Sequence, residues 1–116
     1  MSRKPARKKQ DEMIAKEIEK LNELFVMLDD EKRQLAERLI ERVAFMTITL
    51  QILENNIKTK GPTYLFKQGS QQMYVENPAQ KSYNTMINRY TATYNSLFNL
   101  LPNDSVGDED DEFDNF

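Results

Sequence analysis

The sequence contains no cysteine and no histidine, and these two absences exclude several kinds of chemistry. Without cysteine there is no disulfide and no thiolate nucleophile, and most zinc sites are excluded as well. The side chain that enzymes use most often as a general base near neutral pH is also missing. The sequence has no glycine-rich phosphate loop, and outside the acidic tail it has no Asp-x-Asp metal loop. We therefore expect a protein that is not an enzyme, with no catalytic residues, no metal site and no cofactor.

Long hydrophobic runs are lacking too. No window approaches the roughly 18 to 20 apolar residues that span a bilayer, and the basic start lacks the apolar stretch of a signal peptide. These features predict a soluble intracellular protein with no membrane partner. A chain of 116 residues has room for one domain.

The charges are separated along the chain, although the net charge is only -3. The first ten residues contain basic side chains and no acidic one, whereas residues 102–116 contain acidic side chains and no basic one. The segment between them is nearly neutral. We therefore predict a disordered basic arm at 1–10, a helical oligomerisation domain at 11–101 and a disordered acidic tail at 102–116.

Apolar residues at alternating spacings of three and four predict three helices and hence a mainly α fold. The first helix is expected from Asp11 to Leu28, with its carboxylates near the start. The second, about 28 residues long, is expected to begin near Glu31 after a cap at Asp29 or Asp30 and to stop at Gly61. A third helix is expected to start at Asn77 and Pro78 and to end before Pro102. Asn77 is suited to cap this helix, and Pro78 is suited to its first turn.

The second helix has apolar residues on more than one face. One row follows the heptad spacing of a helix seam, and four apolar residues lie off that row: Ile40, Phe45, Ile48 and Ile52. Either a second subunit covers the surplus face, or the other two helices sandwich this one within a monomer. In the first case the oligomer interface is expected to contain Leu39, Val43, Phe45, Met46, Leu50, Leu53 and Ile57.

Between the second and third helices lie two short runs rich in aromatic and β-branched residues, within about 63–76. The segment 68–71 between them has turn chemistry. This pattern predicts a small β-hairpin, with an irregular linker as the alternative. A two-stranded ribbon is marginal in water, so it should pack on the helices or pair with a neighbouring subunit.

Each tail predicts a partner from its charge. The basic arm can neutralise phosphates and gain affinity from counterion release, and several arms on one oligomer would act together. The alternatives are a solubilising tail or another anionic partner. The predicted DNA-binding residues are Arg3, Lys4, Arg7, Lys8 and Lys9.

A second group of basic residues lies on the long helix. Lys32, Arg33, Arg38 and Arg42 could add a phosphate-contacting face, but acidic neighbours favour ordinary surface ion pairing.

The acidic tail places two phenylalanines within a run of carboxylates. This layout is common in disordered peptides that dock their rings into a basic groove on a partner. The tail could instead fold back on the basic arm, and as a flexible run it is not expected to hold a metal ion in fixed geometry. The residues expected to contact the partner are Asp110, Asp111, Glu112, Phe113 and Phe116.

Two segments carry a resemblance to a known family. The run 74–79, Tyr-Val-Glu-Asn-Pro-Ala, precedes an amphipathic helix that ends in Leu-Phe-Asn-Leu-Leu-Pro at 97–102, after two N-terminal helices and a basic start. In this arrangement the chain resembles the small subunits of bacteriophage terminases, over most of residues 1–105. Many family members end the last helix with a Leu-Gly-Leu-x-Pro motif and a basic residue, both of which differ here.

The resemblance implies a non-catalytic DNA-packaging component in the host cytoplasm. Family members form rings, commonly of about eight to ten subunits, that recognise the packaging start site on double-stranded viral DNA. They pass that DNA to a large subunit that carries the ATPase and the nuclease. The competing hypotheses are a coiled-coil assembly scaffold or chaperone, and a small helical transcription regulator.

Overall fold

The computed structural model describes residues 4–102 and contains three helices with a β-hairpin between the second and the third. The elements are α1 (Arg7–Leu24), α2 (Asp30–Lys60), β1 (Thr63–Gln68), β2 (Gln71–Glu76) and α3 (Pro78–Phe98). The mainly α fold with a small antiparallel hairpin, predicted from the spacing of apolar residues, is confirmed. The acidic tail lies outside the described residues, apart from Pro102.

Helix α1 begins and ends about four residues earlier than the sequence predicts. Arg7, Lys8 and Lys9 form its first turn and Gln10 follows them, so the segment 1–10, predicted to be a disordered arm, is helical from residue 7 onward. Asp11 and Glu12 consequently lie in the second turn rather than at the helix start. At the other end, the chain leaves the helix after Leu24.

The connection from α1 to α2 stays packed although it is not helical. Phe25 and Leu28 are both buried, as the apolar spacing predicts. Arg33 of α2 donates from Nη1 to the carbonyl oxygen of Val26 at 2.9 Å and so satisfies one backbone acceptor of this turn.

Helix α2 is 31 residues long, about 46 Å at the usual rise, and it is the central element of the fold. The Asp29 side chain accepts from the amide of Lys32 at 2.9 Å, which confirms one of the two predicted caps. At the far end, Gly61 has φ +85°, a backbone conformation that L side chains rarely adopt. Both α1 and α3 pack against α2.

The main core lies where the three helices meet, near the first half of α2. Phe25 and Phe98 make an edge contact with ring centroids 5.2 Å apart, and Leu97 is fully buried beside them. Tyr90, Tyr94 and Phe98 stack in sequence along α3, with centroids 5.6 and 4.4 Å apart. The core is completed by Leu21, Leu28, Ala36, Ile40, Val43 and Ala44.

Candidate nucleic-acid contact and docking surfaces

The basic residues predicted to contact DNA lie at the start of α1. Lys4, Arg7, Lys8 and Lys9 are exposed, and Arg3 lies outside the described residues. Within residues 4–102, the one ion pair closer than 4.0 Å joins Lys20 to Glu17 at 3.7 Å. The basic side chains at the start of α1 therefore have no carboxylate partner among the described residues.

The start of α1 is also electrostatically unfavourable by itself. Its N-cap residue, Ala6, provides no side-chain acceptor, and the first turn contains no acidic residue. Cations at a helix N-terminus oppose the helix dipole, which favours anions there. Gln10 donates to the carbonyl oxygen of Pro5 at 2.6 Å, but this bond leaves the first-turn amides uncapped, because the Ala6 side chain has no acceptor atom. A phosphate placed here would be stabilised both by the side-chain charges and by the dipole.

The predicted seam on α2 proves to be mostly interior. Val43, Met46 and Leu50 are 1%, 8% and 5% exposed within the single chain. These three side chains are covered by their own chain, which leaves little of their surface for contact between subunits. Their burial agrees with the alternative in which α1 and α3 sandwich α2 within one chain.

The other predicted interface residues differ in exposure. Leu39, Leu53 and Ile57 are half-buried, so each retains only part of its surface for a partner. Phe45 is 53% exposed, although neighbouring Ala44 and Met46 are buried. Phe45 is therefore the member of the predicted set that remains most available for contact with another molecule.

The hairpin exposes apolar side chains on both of its faces. Leu65 pairs with Tyr74 on one face and Phe66 pairs with Met73 on the other. We call these four residues the hairpin tip; their exposed fractions range from 39% for Leu65 to 77% for Tyr74. The strands turn through Gly69, whose φ of +61° matches the first central position of a type II′ turn. A ribbon with apolar residues uncovered on both faces is expected to gain stability from a partner.

Asn77 joins the base of the hairpin to the helices. Its side chain accepts from the amide of Ala79 at 3.0 Å, which confirms the predicted cap. Its Nδ2 donates to Oδ1 of Asn56 at 2.8 Å and to the carbonyl oxygen of Gly61 at 3.0 Å. Its backbone amide also donates to the carbonyl oxygen of Pro62, at 2.8 Å. Asn77 is 3% exposed, so these bonds fix the point from which the hairpin projects.

A second contact orients α3 on α2. The Tyr83 hydroxyl donates to Oε2 of Glu54 at 3.1 Å. This hydrogen bond, together with partial desolvation and the negative charge of Glu54, raises the pKa of Tyr83 above its usual value of 10.0.

A groove of about 560 Å³ runs between α2 and α3. Its floor and walls are largely apolar, and Phe45, Met46 and Met86 provide much of that surface. Arg42 and Arg89 line it as well, and the remaining lining residues are Glu41, Ala92 and Thr93. A second cavity of about 340 Å³, lined by α3 alone, shares Met86 and Arg89 with it and extends to Lys81, Ser82 and Thr85. We call the two together the α2–α3 groove.

The groove was not predicted from the sequence. The sequence pattern predicts other roles for three of the residues that line it, Arg42, Phe45 and Met46. Met86 and Arg89 lie on α3. Only the alignment of α3 against α2 brings the two sets together, and no short motif encodes that alignment.

For the four basic residues predicted on α2, ion pairing is not observed within 4.0 Å in the described part of the chain.

The residues predicted to contact a large subunit, Asp110, Asp111, Glu112, Phe113 and Phe116, lie outside the described residues. Within residues 4–102 there is no group of three or more side chains suited to holding a metal ion. In the same range, none of the helices combines the length and hydropathy needed to cross a membrane.

Comparisons with family models, with curated proteins and with solved structures found no match to this chain.

Proposed function

We propose that this protein is a non-catalytic phage terminase small subunit, an oligomer that binds the viral DNA packaging start site. In this role it recruits and regulates the large subunit, the ATPase and nuclease of the packaging motor, in the host cytoplasm. The observation that carries the proposal is the exposed basic start of α1, which has no side-chain cap and, among residues 4–102, no carboxylate partner. Because residues 74–79 and 97–102 resemble the terminase family, we propose viral DNA as the ligand of this basic surface.

The DNA-binding part rests on charge density at one point of the fold. Arg7, Lys8 and Lys9 are consecutive on an exposed helix turn, and Lys4 precedes them by less than one turn. Such a cluster binds the phosphate backbone without reading bases. Recognition of a start site would then come from several subunits acting together on one DNA segment.

The assembly part rests on the hairpin tip, not on the buried seam. The tip is exposed on both faces of the ribbon, so it can offer a different surface to each of two neighbours. When one subunit uses one surface and its neighbour uses another, the contact is heterologous, and repeated rotation can close such contacts into a ring. This geometry supports the ring proposal without a coiled-coil seam along α2.

The DNA-binding proposal is tested by reversing charges at the start of α1. The double variant Lys8→Glu/Lys9→Glu should bind double-stranded DNA more weakly and should lower the slope of log K against log salt by about 2 per subunit in contact. A fluorescence anisotropy titration of labelled duplex DNA at several salt concentrations measures both quantities. The matched control is Lys58→Glu/Lys60→Glu at the end of α2, which makes the same change in charge on another helix.

Equal losses in the two variants would contradict the assignment, because they would indicate a response to net charge alone. Absence of DNA binding by the unaltered protein would instead favour the scaffold or chaperone hypothesis. The transcription-regulator hypothesis has less support, since α2 at 31 residues is longer than a compact recognition helix.

The assembly proposal is tested by the native mass of the protein in solution. We expect a discrete assembly of about eight to ten subunits. Phe66→Glu at the hairpin tip should lower this mass while leaving the helical circular dichroism and the melting temperature of the subunit nearly unchanged. Leu50→Glu should instead unfold the subunit, because it places a carboxylate in the interior. A Phe66→Glu variant with the mass of the unaltered protein would exclude the tip from the interface.

A further inference from the structure

The α2–α3 groove has the chemistry of a peptide-binding site. Its apolar residues are flanked by Arg42 and Arg89, and its extension ends at Lys81. From these features we propose that the groove is the docking site for the chain's own C-terminal segment, residues 110–116, Asp-Asp-Glu-Phe-Asp-Asn-Phe. The inference does not depend on DNA binding or on the terminase assignment.

The apolar part of the groove matches the two rings of the segment. Phe113 and Phe116 are three residues apart, about 10 Å in an extended chain. Phe45 offers an exposed ring, and Met46 and Met86 offer flexible thioethers that adapt to aromatic surfaces. Docking would cover Phe45, which its own helices leave 53% exposed.

The charges are complementary as well. The two arginines and the lysine are exposed and have no carboxylate within 4.0 Å among residues 4–102, and Glu41 is the one acidic residue that lines the groove. Residues 110–116 contain four acidic side chains and no basic one. Arginine pairs well with carboxylates because its planar group can donate two parallel hydrogen bonds.

The length of chain beyond α3 permits docking onto the same molecule. Helix α3 ends at Phe98, and its groove-lining residues lie between Lys81 and Thr93. At the usual helical rise these positions are about 8 to 26 Å back along the axis. The ten residues 103–112 can span up to about 33 Å, so Phe113 can reach the groove when the chain reverses direction.

The groove length also fits the segment. From Lys81 to Thr93 it follows α3 for about 18 Å. An extended peptide of five or six residues covers this distance at about 3.3 Å per residue. The span from Asp111 to Phe116 therefore matches the length of the groove.

The hairpin tip of a second copy is a less suitable occupant. Residues 63–76 carry one basic and one acidic side chain, Lys67 and Glu76, and so have no net charge to match the arginines. The tip could contribute aromatic surface, but the basic walls of the groove would stay uncompensated. The acidic segment satisfies both requirements.

Methionine methyl NMR on the full-length protein tests the proposal directly. Met46 and Met86 line the groove, whereas Met13, Met27 and Met73 lie elsewhere and serve as internal controls. A docked ring should shift the Met86 methyl resonance through its ring current. In the variant Phe113→Ser/Phe116→Ser this shift should disappear, while the three control methyl resonances stay in place.

A second pair of substitutions tests the role of charge. In an Arg42→Glu/Arg89→Glu background, the Phe113→Ser/Phe116→Ser change should produce no further movement of Met86, because the segment no longer docks. The cycle of four proteins separates the direct effect of the altered arginines from the effect of losing the segment. The shift in the unaltered protein should not depend on protein concentration.

Three outcomes would overturn the proposal. A Met86 resonance unmoved by Phe113→Ser/Phe116→Ser would show that the segment does not occupy the groove. A Met86 shift that responds to Phe66→Ser instead would identify the hairpin of another copy as the occupant. A shift that grows with protein concentration would place the segment in the groove of a neighbouring molecule rather than in its own.

Discussion

Replacing Asn77 with alanine should destabilise the protein more than the loss of an ordinary helix cap. The substitution removes the acceptor for the Ala79 amide, and loss of an N-cap typically costs about 1 kcal/mol. It also removes the donor that serves Asn56 and the carbonyl oxygen of Gly61, both of which are half-buried. Leaving such acceptors without a donor costs about 1–3 kcal/mol. The expected loss in the free energy of unfolding is thus roughly 2–4 kcal/mol.

Two further substitutions separate these contributions. Asn77→Ser keeps a capping acceptor but has no Nδ2, so it should recover about 1 kcal/mol and retain the rest of the loss. Asp29→Ala removes only the exposed cap of α2 and should cost about 1 kcal/mol.

Urea unfolding followed by far-UV circular dichroism gives the three free energies at one protein concentration, which also keeps any effect of assembly constant. If Asn77→Ala costs no more than Asp29→Ala, the bonds to α2 contribute nothing and the reasoning fails. Full recovery in Asn77→Ser would lead to the same conclusion.

Two other predictions concern single contacts. Phe25→Ala should lower the free energy of unfolding by about 3–5 kcal/mol, because it empties a buried site against Phe98. Met27 is exposed, so Met27→Ala should change this free energy by less than about 0.5 kcal/mol. Urea unfolding measures both values. Similar losses in both variants would contradict this. Glu54→Gln should lower the pKa of Tyr83 toward 10.0, measured by ultraviolet titration of the phenolate. Because the folded pKa is raised, the stability that this bond contributes is present below pH 10 and is lost as pH rises through the folded value. An unchanged Tyr83 titration in Glu54→Gln would exclude the hydrogen bond.

The order of elements could be predicted because strong local signals mark their ends. The carboxylate at Asp29, the glycine at 61 and the Asn77-Pro78 pair each match what a helix terminus requires, and the structure places the termini there. The start of α1 has no such signal. Ala6 is a poor cap and basic residues oppose the helix dipole, so no local signal marks Arg7 as the start of the helix.

Which surfaces remain free was harder to predict than where the helices lie. The spacing of apolar residues on α2 indicates burial but does not distinguish a partner subunit from the other helices of the same chain. Val43 and Leu50 are buried within the chain, while Phe45 in the same region is not. That difference depends on how α1 and α3 are placed around α2, which is set by packing between distant residues.

The hydrogen bond from the Asn77 amide to the Pro62 carbonyl oxygen closes the base of the hairpin across a gap of 2.8 Å. The two ends of the ribbon are therefore already joined before its first strand begins. A short turn could replace residues 63–76 without moving α2 or α3, and extra residues could be inserted at Gly69, where a Cβ would meet nothing within 4 Å. The packing of the three helices thus sets no limit on the length of the ribbon, and a fluorophore or affinity tag placed at its turn should leave the bundle intact.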